Sequence, residues 1–385
     1  SHGAGNRLHL ESASQPVPVK KQGKYNITRW AVTGRDDVGI NTACWRIYDA
    51  LKATPDISDD SWRELCYLWS SDFRTHITEA RWHQYRERLQ SFQEQAGVKS
   101  ATEAAKTADV TGGWRQTVGL EPMVKRTGRY LVIETKAVRV KLNCQRGLAI
   151  DGLWLGSLEG PPLCGTLPHG YYDDIALGAD WYTGHLTMEA SLQAKVTDLN
   201  PVEPSITVLE HGDLLIEGVI STTLGTVTKR LQISTVEPMM VLSYVCDWEN
   251  VPAGSLRLGY VTLNPESFDR DTLMYRTNNG GKYPEVFRLD GSDVDHGDPV
   301  SSLASARQGV GITDGWVELG DSKRALRLEV DMTVAALVGM VTYRAVGDSY
   351  FCRLALSSGE TDETRQVSDT ATPKVIRLRI RLVSD

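Results

Sequence analysis

Apolar side chains repeat along this chain with two different periods, and the change between them divides it. From Gly39 to about Lys106 they recur every three or four positions. "INTACWRIYDALKA" sets Ile40, Cys44, Ile47, Tyr48 and Leu51 on one stripe, which predicts an amphipathic helix. A second helix is predicted over "ISDDSWRELCYLW", with Ser58 or Asp59 as cap and Trp62, Leu65, Cys66 and Trp69 as its buried face. The third, "TEARWHQYRERLQSFQEQA", follows Thr78 as cap and turns Trp82, Tyr85, Leu89 and Phe92 to one side. Small and polar residues fill 97–113, which reads as a linker.

From about Trp114 the period is two. "YLVIETKAVRVKLNC", "GLAIDGLWLGSL", "SITVLEHGDLLIEGVI", "TVTKRLQIS", "MMVLSYVCDW", "LRLGYVTLN", "GWVELGD", "RALRLEVDM", "GMVTYRAV", "FCRLALSS" and "KVIRLRIRLVS" are strand-like runs broken by Gly, Pro, Asp and Asn. So many short strands without intervening helices predict a large antiparallel β-sandwich and exclude a doubly wound sheet or a (β/α)8 barrel within this chain. The fold class expected is α+β, mainly β. A three-helix bundle comes first, over 31–110, then a sandwich over 114–385, with 1–30 as an extended amino-terminal segment. No repeat recurs, which disfavours a propeller or solenoid.

Composition narrows the partners. At 385 residues, 41% hydrophobic, the chain has enough apolar material for two domains, and its formal net charge of −7 with scattered basic residues speaks against nucleic acid. Apolar runs such as "VAALVGMV" (334–341) fall well short of the roughly 20 residues that cross a bilayer, so no membrane partner is expected. The six cysteines are dispersed, with no C-x-x-C pair, and suit buried free thiols in a cytoplasmic protein. No signal peptide is visible, and any export signal would lie outside this chain.

Two stretches concentrate chemistry. "LCYLWSSDFRTHITEARW" (65–82) interrupts a helical pattern with Ser70, Ser71, Asp72, Arg74, Thr75 and His76. If the second and third helices are antiparallel, these groups gather at the tip of a hairpin, where Asp72, Arg74 and His76 match the paired hydroxyls of a sugar. Alternatively they cap two helices. "LPHGYYDDIALGADWYTGHL" (167–186) places His169, Tyr171, Tyr172, Asp173, Asp174, Asp180, Trp181 and Tyr182 together. Aromatic faces that stack on a pyranose beside Asp, His and Tyr hydrogen-bonding groups characterise carbohydrate sites; the alternative is an Ω-loop packed by its own aromatics. The Asp173, Asp174 and Asp180 spacing matches no calcium loop, and neither a metal nor another cofactor is expected. Arg35, Asp36 and Asp37 precede the first helix and suit its amino-terminal dipole.

A short helical bundle whose turn carries "SSD" after aromatic residues ("LWSSDFRTH"), followed by a large sandwich, resembles the carboxy-terminal portion of family 57 glycoside hydrolases and the related family 38 α-mannosidases. That resemblance implies a sandwich of the mutarotase-like supersandwich type. It also implies an upstream (β/α) barrel, or a separate catalytic chain, that supplies the nucleophile and acid, with Asp72, Arg74 and His76 at the edge of a sugar cleft and the 169–182 loop reaching toward it. A retaining glycosidase needs two carboxylates roughly 5 Å apart; without the barrel, the catalytic candidates in this chain are Asp72, His76, His169 and Asp173. The expected function is that of a carbohydrate-active protein acting on an oligosaccharide or polysaccharide. One alternative is a polysaccharide lyase or epimerase with Tyr171 or Tyr172 and His169 as acid and base and Arg74 neutralising a uronate. The other is a non-catalytic binding or interaction protein.

Overall fold

The computed structural model describes residues 34–73, 77–98, 123–172, 180–190, 192–249, 251–278, 283–289, 309–310, 312, 314–360 and 375–384. Among the described residues three α-helices come first: α1 (Asp37–Ala53), α2 (Asp59–Leu68) and α3 (Glu79–Gln95). Ser58 and Thr78 cap α2 and α3 by accepting the Ser61 and Arg81 backbone N–H groups. At the start of α1 the acidic pair does not cap in the usual way. Asp36 takes a left-handed conformation with no side-chain cap bond, and the Asp37 carboxylate accepts Gly34 N at 2.5 Å. Arg35 forks onto Glu79 at 2.8 and 2.9 Å while lying 4.7 Å from the Trp82 ring, which ties the beginnings of α1 and α3 together.

The bundle has its own core, built from Ile40, Ile47, Leu51, Leu65, Leu68, Trp82, Tyr85, Leu89 and Phe92 with Phe73 and Ile77 from the bend. The buried face of α2 is Leu65 and Leu68; Cys66 is exposed, and Trp62 and Trp69 are half-buried. Rotation of that face follows from Trp69, whose indole N–H donates to Asn41 Oδ1 at 2.9 Å on α1.

Strands follow in the order β1 (Met123–Thr127), β2 (Tyr130–Glu134), β3 (Val138–Asn143), β4 (Ala149–Leu155), β5 (Cys164–Gly165), β6 (Leu186–Ala190) and β7 (Val196–Thr197). Next come β8 (Ser205–Val208), β9 (Leu214–Thr222), β10 (Gly225–Ile233), β11 (Met239–Trp248), β12 (Gly254–Thr262), β13 (Met274–Thr277) and β14 (Glu285–Arg288). The last are β15 (Gly309–Val310), β16 (Trp316–Gly320), β17 (Arg324–Val330), β18 (Val338–Val346), β19 (Ser349–Gly359) and β20 (Val375–Ser384). The pairings among the described strands are antiparallel, as the period-two runs predict. They form a five-stranded sheet β1 to β5, a nine-stranded sheet β14-β13-β16-β17-β20-β11-β10-β9-β8 and a six-stranded sheet β15-β18-β19-β12-β6-β7. One apolar core joins the three, with Leu131, Val140 and Leu153 from the first, Leu231, Leu242 and Leu378 from the second, and Leu258, Leu354 and Leu356 from the third.

Strand faces differ between the sheets in a way that locates the site. In β9 and β10 burial alternates strictly, one face dry and one wet. In β12 and β19 of the six-stranded sheet nearly every residue is buried, with Arg257 and Arg353 among the half-buried exceptions. The helical bundle docks beside one end of it. Thr42 Oγ1 accepts Ala336 N at 3.0 Å and Arg46 Nε donates to Thr333 O at 2.5 Å, on the segment just before β18.

Candidate functional site

The outer face of the six-stranded sheet carries a polar and aromatic strip set by strand register. β12 pairs Arg257 with Thr187 of β6 and with Ser357 of β19, and pairs Thr262 with Arg353. Between those rows Leu258 faces Leu356 and Val261 faces Leu354, so Gly259 and Tyr260 together oppose Ala355. This is a β-bulge, and the extra residue turns Tyr260 to the same face as Arg257 and Thr262. Gly259 permits it: its φ is 58°, and a Cβ there would lie 2.5 Å from Leu378 across the core.

Around the Tyr260 ring the polar groups converge. His185 stacks on it with centroids 4.2 Å apart, the Arg353 guanidinium lies 4.0 Å from its centroid, and its hydroxyl pairs with Thr187 Oγ1 at 2.8 Å. Arg353 Nη2 donates to Tyr182 O at 3.0 Å, and the guanidinium is 5.3 Å from the Trp181 ring. Trp181, half-buried, packs against Phe351 at 4.4 Å. Further along the same face Arg257 forks onto Glu360 at 2.8 Å through both contacts, and Ser357 Oγ donates to Glu360 at 2.6 Å.

The 180–185 strap is held by the sheets on both sides. Ile150 N donates to Thr183 O at 2.8 Å, and Thr183 Oγ1 accepts Thr262 N at 3.0 Å and donates to Gly165 O. Leu167 and Trp181 bridge across the base of the loop between them. Within that loop Asp180 is a staple, accepting His169 N at 2.6 Å and the Tyr182 hydroxyl at 2.9 Å. Tyr172 is an anchor instead of a ligand group: it is buried beside Leu167 and Phe351, and its hydroxyl donates to Tyr350 O. Tyr171 is exposed and meets Tyr172 edge-on; His169 is exposed. Asp173 and Asp174 lie outside the described residues, as do Arg74 and His76.

Burial sets the ionisation here. It holds the His185 imidazole well below its ordinary value, and the Arg353 and Lys229 charges push it the same way, so His185 is neutral at pH 7. Burial pulls Arg353 down to about 10, against the opposing influence of Tyr260. Arg257 moves upward: burial alone would lower it, but the paired hydrogen bonds to Glu360 prevail. Burial raises the Tyr171 and Tyr182 phenols, with Glu266 and Asp180 respectively adding to the effect.

Asp72 sits in a 3₁₀ turn, Ser71–Phe73, with its side chain exposed. The cleft expected between this bend and the aromatic loop is not formed by the described residues. The loop packs on Val346, Tyr350 and Phe351, at the hairpin end of β18 and β19, whereas the bundle docks on Thr333 and Ala336, beside the opposite end where Val338 pairs with Ser357. The seven residue steps of extended strand from Tyr350 to Ser357 amount to roughly 23 Å. The structure brings Trp181 and Tyr182 together with His185, Tyr260 and Arg353, three residues that the sequence pattern had not singled out. A signal existed for Arg353, the one charge inside the apolar run "FCRLALSS". Among the described residues no group of three His, Cys, Asp or Glu is placed to hold a metal ion, and no helix is long and apolar enough to cross a membrane.

No protein-family model and no curated protein matches this sequence. Among solved structures, it is similar to a 4-alpha-glucanotransferase from Thermococcus litoralis, at 9% identity and TM-score 0.34, over 91% of this chain and 50% of that one. It is also similar to a putative mutarotase from Salmonella typhimurium (11% identity, TM-score 0.39, 74% of this chain and 100% of that one). A third is an alpha-N-acetylgalactosaminidase from Bifidobacterium bifidum (9% identity, TM-score 0.35, 68% of this chain and 36% of that one). The likeness is one of architecture, and the chain spans about half the length of the glucanotransferase.

Proposed function

We propose that this chain recognises an oligosaccharide or polysaccharide on the outer face of the six-stranded sheet, with Trp181 and Tyr171 as stacking surfaces and Arg353 as the polar contact. The observation that carries this reading is Trp181, half-buried, braced by Phe351 at 4.4 Å and flanked by a guanidinium at 5.3 Å. A flat ring held rigid beside hydrogen-bond donors suits the apolar C–H face and the hydroxyls of a pyranose at little entropic cost. The order of bundle and sandwich supports its being the non-barrel part of a family 57-like glycoside hydrolase. Asp180, the carboxylate beside the tryptophan, spends both oxygens on His169 N and the Tyr182 hydroxyl, which suits a loop staple better than a nucleophile. Turnover would therefore depend on carboxylates carried elsewhere.

The lyase or epimerase alternative finds less support. Tyr172 is committed to Tyr350 O, and burial raises the Tyr171 phenol, opposite to what a tyrosinate base requires. The test is glycan binding by titration calorimetry with native chain and Trp181→Ala, together with an assay for hydrolysis. Binding that falls about tenfold in the variant, without turnover by either, supports the proposal. Unchanged binding in a folded Trp181→Ala protein, or hydrolysis of a defined oligosaccharide by the pure chain, would overturn it.

A further inference from the structure

Among the described residues Arg353 is a cation without a carboxylate partner. Elsewhere in the sandwich several half-buried arginines pair with carboxylates, Arg257 with Glu360, Arg139 with Glu134, Arg230 with Glu217, and Arg327 with Glu318 and Glu329, while Arg270 and Arg324 donate to Gly347 O and Ser267 O. Arg353 has no salt bridge among the described residues, and of its three nitrogens only Nη2 is hydrogen-bonded, to Tyr182 O at 3.0 Å. Its Nε is buried with no partner. Two neighbours share that condition. Thr262, its direct partner across the strands, has a buried Oγ1 with no hydrogen bond, and so has Nδ1 of His185, stacked on the same Tyr260 ring.

Unsatisfied buried polar atoms are uncommon, and three on one face mark a place where something with matching groups completes the set. The charge identifies it. With Trp181 and Tyr260 shielding the guanidinium, an oxyanion meeting it would do so at low local dielectric, where a charge-assisted, forked contact is strongest. We infer that Arg353 is the recognition point for an oxyanion borne by the sugar that stacks on Trp181, so that the ligand is an acidic sugar, either a uronate carboxylate or a phosphate ester. The inference rests on the carbohydrate reading above and narrows its substrate class.

The full-length chain is titrated with glucuronate, methyl glucuronate, glucose, glucose 6-phosphate, sodium acetate and inorganic phosphate, by calorimetry and ligand-observed NMR. The expected result is binding of glucuronate or glucose 6-phosphate about tenfold tighter than glucose, with methyl glucuronate falling back to the glucose level if the carboxylate is the source. In Arg353→Gln the ratio of acidic to neutral sugar falls to about one, and Arg353→Lys keeps part of it because the point charge survives without the fork. Thermal melts establish folding, and Arg379→Gln on the nine-stranded sheet controls for bulk charge. Glucose bound as tightly as both acidic sugars sinks the inference and leaves the carbohydrate reading standing. An acid preference that survives in folded Arg353→Gln or Arg353→Lys at its native size sinks the inference as well. Acetate or phosphate bound with no sugar bound keeps an anion centre but ends its assignment to a sugar and the carbohydrate reading with it. Silence toward every probe ends both.

Discussion

Lys229 and Arg353 are both cations withdrawn from water in one sandwich, and they are housed in opposite ways. Lys229 belongs to the inward face of β10, between Val227 and Leu231, and is fully buried. Its ammonium meets Asp198 Oδ2 at 2.6 Å and donates to Gly147 O at 2.6 Å, and Asp198 Oδ1 accepts Leu186 N at 2.9 Å. Burial pushes the lysine down and the aspartate up, each opposed by the other's charge. The chain is shaped around this pair: Gly147 has φ 55°, and a Cβ there would lie 1.7 Å from Asp198 O. Three sheets are stapled at that point, so the charges are a closed structural unit. Arg353 is half-buried, lies between aromatic rings and has no anionic partner among the described residues. An interior charge that is completed by the chain belongs to the fold, and one that is left incomplete is available to a ligand.

The largest effect is expected from opening the closed unit. Lys229→Met leaves Asp198 buried and uncompensated, and should cost about 3–5 kcal/mol in urea unfolding, whereas Lys229→Met with Asp198→Leu should recover most of it. A double variant as unstable as the single one would show that shape, not charge, is what the pair supplies. Next in size, Trp181→Ala should lower glycan affinity by about tenfold, near 1.4 kcal/mol, with little change in the melting temperature.

The arginine-rich outer face of the nine-stranded sheet gives a pH test. Glu329 accepts from Arg381 and Arg379 at 2.9 and 3.1 Å. Burial alone would raise its carboxyl, but these arginines and Arg327 hold it below the ordinary 4.5. A depressed carboxylate stabilises the fold above its unfolded value, and that contribution is lost as pH falls from 4.5 through the folded value. Glu329→Gln should therefore flatten the acid limb of the stability curve, and at pH 7 lose about 0.5–1 kcal/mol.

Arg353→Met sharpens the comparison from the other side. Removing an uncompensated cation gives up the Tyr182 contact and the ring contacts but relieves desolvation, so unfolding free energy should stay within about 1 kcal/mol of native. A loss as large as that of Lys229→Met would mean that Arg353 is structural. Smallest of all, Asp72→Ala should leave stability within about 0.5 kcal/mol, since the side chain is exposed. It should also leave glycan binding at Trp181 unchanged, because the bend and the loop belong to opposite ends of β19.

The helical stripes, the Ser58 and Thr78 caps and eleven strand-like runs were legible because they depend on periodicity and on neighbours a few residues away. Strands β1, β5, β6, β7, β13, β14 and β15 escaped notice: all are only two to five residues long, too short for a period to declare itself. The α2 face was displaced toward Leu68 by the Trp69 bond to Asn41, a contact between helices that spacing does not encode. In the aromatic loop, composition identified Trp181 and Tyr182 but could not separate a stacking ring from an anchor such as Tyr172, whose role comes from Tyr350 on a distant strand.

What this sequence determined alone is the kind of each element and which residues alternate on it, since backbone period and side-chain preference are local properties of the chain. The grouping of strands into sheets of five, nine and six was decided by the tertiary structure, and so was the bulge at Gly259 and Tyr260 that sets the Tyr260 ring beside Arg353. Those depend on register between segments far apart in the chain, where a slip of one residue exchanges the two faces of a strand.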